Sequence, residues 1–240
     1  VNTFQHARLA TVATLVTLGI AACAAPAAQP SSTPSASIPA AAALDDRPLD
    51  EQLVDAVVAG DIALAALAIE AGADASLVDD TTENTPLSIA ITRNDLEMVT
   101  LLIEAGAVVA NEQGDHIYVA AQYGGPEIAL LLLQNGSNPI GPEGFEGAVL
   151  AAATYNDNVD VVQVLLEAGA PASGNFEGLG SGWYPVLTAA AFGGSLESAR
   201  ILIANGADPA AVAWDGYTSA EWADAEGERE LADYLRSVGG

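Results

Sequence analysis

The chain contains no lysine, and its six arginines face 32 aspartates and glutamates, for a formal net charge of −26. A surface this acidic repels phosphate backbones and anionic headgroups, which argues against nucleic acid and against peripheral attachment to a membrane. It favours solubility and a partner with a basic rim, although most of these carboxylates also read as a plain solvated face. A single cysteine, Cys23, rules out a disulfide within one chain. Only two histidines are present, His6 and His116. A nucleophilic triad would therefore have to rest on His116 once any N-terminal leader is removed. There is no G-x-S-x-G, phosphate-binding loop or H-E-x-x-H, so nothing points to catalysis or to a cofactor. Asp79-Asp80 with Glu83, and Asn156-Asp157-Asn158 with Asp160, gather oxygen ligands, but neither has calcium-loop spacing. Both fall where turns and helix starts favour such residues, and no metal is expected.

What the chain has in quantity is repetition. A phrase ending in an apolar helix and a glycine recurs as AIEAGAD at 68–74, LIEAGAV at 102–108, LLQNGSN at 132–138, LLEAGAP at 165–171, LIANGAD at 202–208 and LRSVGG at 235–240. Its glycines, Gly72, Gly106, Gly136, Gly169, Gly206 and Gly239, read as helix C-caps. Twelve residues before each stands a turn former: Gly60, Asn94, Gly124, Asp157, Gly194 and Gly227. Four residues earlier the column is alanine throughout, at Ala56, Ala90, Ala120, Ala153, Ala190 and Ala223. One helical turn before that lie Leu53, Leu87, Ile117, Leu150, Leu187 and Ala220.

Each unit thus reads as a short helix, a turn, a longer helix, a glycine cap and an irregular connection. Thr85-Pro86, the Thr218–Glu221 pair and Pro126 mark helix starts in the same register. Units of this size cannot bury their apolar faces alone and must stack. The expected fold class is all-α, a solenoid of about six helix–turn–helix units with short β-hairpin-like fingers. The uneven glycine spacing predicts a shortened finger around 111–115 and an enlarged one in the glycine-rich stretch 173–184. Polar and charged residues such as Glu51, Gln52 and Asp55 suggest a polar outer face on the first unit.

From about Asp50 onward the chain resembles ankyrin repeats, whose period is about 33 residues with a T-P-L-H-x-A start. Thr85-Pro86-Leu87-Ser88-Ile89-Ala90 carries the likeness best, with Ser88 in place of the histidine. The resemblance implies a non-catalytic binding scaffold whose concave groove and finger loops hold a protein partner, without naming that partner.

The first 22 residues read as a cleaved signal peptide. Arg8 precedes an apolar stretch, Leu9 to Ala22, too short to span a bilayer comfortably. It ends Ile20-Ala21-Ala22-Cys23, which looks like a bacterial lipoprotein signal, in which the cysteine after the cut carries the lipid. An ordinary secretory leader with an incidental cysteine is the alternative. Residues 23–45 then form the lipidated cysteine and an Ala/Pro/Ser-rich disordered tether, and 46–240 the repeat domain. The expected location is extracytoplasmic, with a monomeric chain touching the membrane only through its lipid.

In the register of the repeats, nine of the 12 aromatics after Cys23 map to the groove or its fingers. The candidate partner-binding residues are Tyr123, Phe145, Tyr155, Trp183, Tyr184, Phe192, Trp214, Asp215 and Tyr217. Tyr118, Trp222 and Tyr234 map elsewhere. The competing reading is that finger aromatics stack on one another and only stiffen the hairpins. Two further functional readings are an immunity or envelope-stress factor that occludes a toxin or supports an enzyme, and a hydrolase using groove carboxylates.

Overall fold

Residues 43–78, 84–111, 114–141, 146–178 and 182–239 are described by a computed structural model. Cys23, the leader, the tether up to residue 42, Phe145 and the Asp79-Asp80-Glu83 cluster lie outside the described residues. Twelve helices among the described residues come in consecutive pairs. They are α1 (Leu49–Ala59) with α2 (Ile62–Ala71), α3 (Pro86–Thr92) with α4 (Leu96–Glu104), and α5 (His116–Tyr123) with α6 (Pro126–Gln134). The later pairs are α7 (Ala148–Tyr155) with α8 (Val159–Glu167), α9 (Val186–Gly193) with α10 (Leu196–Ala204), and α11 (Ser219–Glu226) with α12 (Arg229–Gly239). The odd-numbered helices pack on one another in sequence order, and so do the even-numbered ones, giving two parallel rows. No helix of the described residues is long and apolar enough to cross a membrane.

The columns legible in the sequence become the seams between pairs. Every alanine of the Ala56-to-Ala223 column is wholly buried. A methyl group is the largest side chain that leaves the first helices this close. Leu53, Leu87, Ile117, Leu150 and Leu187 fill the same seam one turn earlier. Second helices bury a repeated triplet: Met98, Val99 and Leu102 in α4, Ile128, Ala129 and Leu132 in α6, Val161, Val162 and Leu165 in α8, and Leu231, Ala232 and Leu235 in α12. That i, i+1, i+4 spacing leaves the opposite face to water and makes each second helix one-sided.

Helix ends follow the local chemistry. Thr85 caps α3 through the Ser88 N–H, and the Ser88 hydroxyl accepts in return from the Thr85 N–H. Thr218 and Glu221 close the same reciprocal box on α11. Gly72, Gly106, Gly136, Gly169 and Gly206 all sit at φ between 92° and 110°, where a β-carbon would be strained. Gly239 breaks the series, since it lies inside α12 and caps nothing there. At the turns within the pairs, Asn94 and Asp157 take the left-handed conformation at φ 53° and 54°.

Those turns are also laced together from pair to pair. The Gly125 N–H donates to Asn94 Oδ1 at 2.7 Å, Asn158 Nδ2 donates to the Gly124 carbonyl at 2.8 Å, and the Ser195 hydroxyl donates to Asp157. Asp157 and Asn158 of the cluster at 156–160 are therefore engaged in holding the stack. Gln52 departs from the expected polar outer face. It is buried, and its amide donates to the carbonyls of Asp45 and Arg47 while its oxygen accepts the Asp45 N–H. One buried amide thus secures the segment leading into α1.

Two fingers form antiparallel strand pairs: β1 (Ala110–Asn111) with β2 (Gly114–Asp115), and β3 (Asn175–Glu177) with β4 (Trp183–Pro185). The first is the shortened finger and the second the enlarged one. A third finger is held by a single bridge, Val212 to Thr218, closed by a turn at Asp215-Gly216.

Candidate partner-binding face

The enlarged finger sorts the candidate residues by strand parity. Successive side chains of β4 point to opposite faces, so Trp183 and Tyr184 cannot share an environment. Tyr184 turns toward the helices and is only 4% exposed, whereas Trp183 is 47% exposed. Tyr184 stacks on Phe176, its register partner across the hairpin, with ring centroids 5.7 Å apart. It meets Phe192 of α9 and Trp222 of α11 edge-on at 5.4 and 6.0 Å. Phe192 and Trp222 touch each other at 5.1 Å, and Tyr217 reaches Trp222 at 5.9 Å. These geometries are the edge-to-face contacts that aromatic quadrupoles favour.

This cluster corrects the expectation for Tyr184. Its ring is a brace between the fifth finger and the last two helix pairs, with almost no surface left to offer a partner. Phe192 is half-buried in the same cluster and is mainly structural. Trp222, which the register placed outside the groove, touches three of these rings. The available signal was its position two residues after Ala220, near the start of α11, facing the preceding first helix.

Among the described residues, the remaining aromatic candidates are open to solvent. Tyr123 and Tyr155, at the C-termini of α5 and α7, are 57% and 44% exposed, and Trp214 and Tyr217 are 52% and 54% exposed. Asp215 is partly buried, and its carboxylate accepts the Tyr217 N–H at 3.1 Å, which sets the turn that presents Trp214 and Tyr217. Trp214 is tied to the neighbouring finger by its backbone N–H, which donates to the Trp183 carbonyl at 3.2 Å.

The chemistry available elsewhere is limited by what is already engaged. His116 is 6% exposed, with Nδ1 2.6 Å from the Val109 carbonyl and Nε2 2.8 Å from the Thr85 hydroxyl. A carbonyl can only accept, so Nδ1 carries the proton and Nε2 accepts from Thr85. The ring is a strut between the second and third helix pairs, with neither nitrogen left to serve a nucleophile. Among the described residues no three His, Cys, Asp or Glu side chains are placed to hold a metal ion. Among the described residues, the perturbed carboxylates lie near the two ends of the repeat domain. The Thr218 backbone N–H and hydroxyl hold Glu221 below its usual value, and Arg47 does the same for Asp45.

The comparisons agree with this architecture. Residues 53–141 match the family model for ankyrin repeats, in three copies. Among solved structures, the human ASB11 ankyrin repeat domain is 25% identical, with a TM-score of 0.66 over 76% of this chain and 81% of that one. A search of curated proteins by sequence found no match. The fold is that of an ankyrin-repeat solenoid, predominantly helical with small antiparallel strand pairs. Such arrays are generally protein–protein interaction modules and typically non-catalytic scaffolds.

Proposed function

We propose that this chain is a non-catalytic scaffold, anchored to a bacterial cell envelope by a lipid on Cys23, which captures a protein partner on its groove and fingers. The helix pairs beyond residue 141 extend the same repeat array. The observation that carries the reading is the set of exposed aromatics, Tyr123, Tyr155, Trp183, Trp214 and Tyr217, on a fold whose seams are mostly aliphatic. Rigid aromatic surface loses little side-chain entropy on association and is enriched at binding hot spots. The acidic excess selects a partner with a basic rim and speeds its approach more than it tightens the complex.

Crosslinking of the anchored protein in its native envelope, followed by purification, tests the reading. Replacing Tyr123, Tyr155 and Tyr217 together by alanine should remove the crosslinked partner while the melting temperature stays within a few degrees. Retention of the same partner by that variant would refute the groove. Cys23→Ser should abolish labelling by radioactive fatty acid and release the protein from the membrane fraction. Unchanged labelling would refute the anchor.

A further inference from the structure

The glycine caps are alike in backbone and differ in what precedes them. Ala71, Ala105 and Ala168 stand before Gly72, Gly106 and Gly169, whereas Asn135 and Asn205 stand before Gly136 and Gly206. These are the two Asn-Gly pairs of the chain. Asparagine is a thermolabile side chain, and a following glycine leaves its backbone nitrogen sterically open to ring closure. Both asparagines are exposed, so water reaches them without any opening of the core.

The folded geometry restrains the two sites in the same way. Asn135 has φ −99° and ψ 17°, and Asn205 has φ −98° and ψ 13°. At such ψ the residue's own carbonyl oxygen, rather than the glycine nitrogen, lies on the Cβ side of the Cα–C bond, which keeps Cγ and that nitrogen apart. Asn135 Nδ2 donates to the Leu131 carbonyl and Asn205 Nδ2 to the Ile201 carbonyl, each at 2.9 Å. The glycine N–H groups are engaged as well, Gly136 with the Leu133 carbonyl at 3.2 Å and Gly206 with the Ile203 carbonyl at 3.1 Å. Ring closure therefore requires the last turn of α6 or α10 to unwind.

What lies beneath the two turns is not the same. α6 buries Ile128, Ala129 and Leu132, while α10 buries Ser198, Ala199 and Leu202. The residues matching Ser198 in α4, α8 and α12 are Met98, Val161 and Leu231, all large and apolar. Ser198 is wholly buried, and its hydroxyl has no hydrogen-bond partner among the described residues. An unpaired buried hydroxyl and a small side chain both weaken the closed state, so α10 opens more readily than α6.

We propose that Asn135 and Asn205 are deamidation sites gated by the fold, and that Asn205 is converted first. The Gly206 nitrogen attacks Asn205 Cγ, the Cγ–Nδ2 bond breaks, and Nδ2 leaves as ammonia with the proton from the glycine nitrogen. Water then opens the resulting succinimide at one of its two carbonyls, giving an aspartyl or an isoaspartyl residue, and nothing is oxidised or reduced. Either product puts a carboxylate in place of an amide donor at a helix C-terminus, where negative charge is unfavourable. The isoaspartyl form also adds a carbon to the backbone of the cap. At Asn205 this change falls just ahead of the finger that carries Trp214 and Tyr217.

The test incubates the purified full chain in mildly alkaline buffer, with and without urea. Peptide mapping that separates asparaginyl, aspartyl and isoaspartyl forms follows each site. In urea the two sites should convert at similar rates. In the native chain both should slow about tenfold or more, with Asn205 about threefold or more ahead of Asn135. Ser198→Ala, which deletes the unpaired hydroxyl, should slow Asn205 about threefold and leave Asn135 unchanged. Asn205→Ala, which matches the other units, should remove one of the two events. Hydrogen exchange on the unaltered chain carries the test if Ser198→Ala fails to fold: the Gly206 N–H should exchange faster than the Gly136 N–H. Native conversion at the urea rate, Asn135 ahead of Asn205, or no effect of Ser198→Ala overturns the proposal. So does a native chain that keeps both asparagines intact after about a hundred half-lives of the urea reaction.

Discussion

Trp183 and Tyr184 are neighbours on one strand with opposite expected consequences when truncated. Tyr184→Ala removes a ring that is 4% exposed and contacts Phe176, Phe192 and Trp222. Three aromatic contacts at about 0.5–1.5 kcal/mol each give about 1.5–4.5 kcal/mol beyond plain burial. Contacts of this kind are not additive, so the whole truncation is set at about 3–5 kcal/mol, the usual cost of emptying a buried aromatic site. In a domain of this size that corresponds to a fall in melting temperature of about 6–20 °C. Trp183→Ala removes a half-exposed ring and should cost about 1 kcal/mol or less, a shift of about 2–4 °C. Because each helix pair is stabilised only by its neighbours, the Tyr184 loss should concentrate at the C-terminal end. Hydrogen exchange should show faster opening of α9 to α12 and little change in α1 to α6. Thermal melts of the two variants side by side provide the comparison. Equal shifts, or a larger one for Trp183, would refute the assignment of the two faces of β4.

Gly193→Ala should destabilise by at least about 2 kcal/mol, since the new methyl carbon would lie 2.2 Å from the Tyr155 carbonyl oxygen, and backbone cannot swing aside as a side chain can. A melt unchanged within a degree would contradict that close approach. His116→Ala removes the side-chain hydrogen bonds to the Val109 carbonyl and the Thr85 hydroxyl, each of which keeps a backbone donor, and should cost about 0.5–1.5 kcal/mol for each bond lost, read by urea denaturation. Part of the acid sensitivity should arise in the last helix pair. Glu221 has a lowered folded-state pKa, so its capping box contributes fully above the ordinary glutamate value of about 4.3 and is lost as pH falls through the folded value. Glu221→Gln should flatten the acid limb of stability for α11 and α12, and an unaltered limb would assign the loss to other groups.

The fold was legible because every unit repeats the same local physics. A glycine at positive φ, an alanine in a tight seam and an aliphatic residue one turn away recur in register, so six weak signals reinforce one another. Thr85, Thr218 and Pro126 marked helix starts through capping chemistry that depends on near neighbours alone. The uneven glycine spacing likewise placed the short and long fingers. The candidate site was legible only in part. Tyr123, Tyr155, Trp183, Trp214 and Tyr217 are exposed as the groove register implies, whereas Tyr184 is sealed and Trp222 sits at the centre of the ring cluster.

Period, caps and seams are properties of residues within one or two helical turns of each other, and the order of residues along the chain is enough to specify them. Which way a ring in a finger points depends on the pairing of β3 with β4, whose register partners lie six to ten positions apart. What lies beneath that ring depends on α9 and α11, elements that come together only when the pairs stack. A one-residue change of parity would have exchanged Trp183 for Tyr184, and no local feature of the sequence distinguishes the two outcomes.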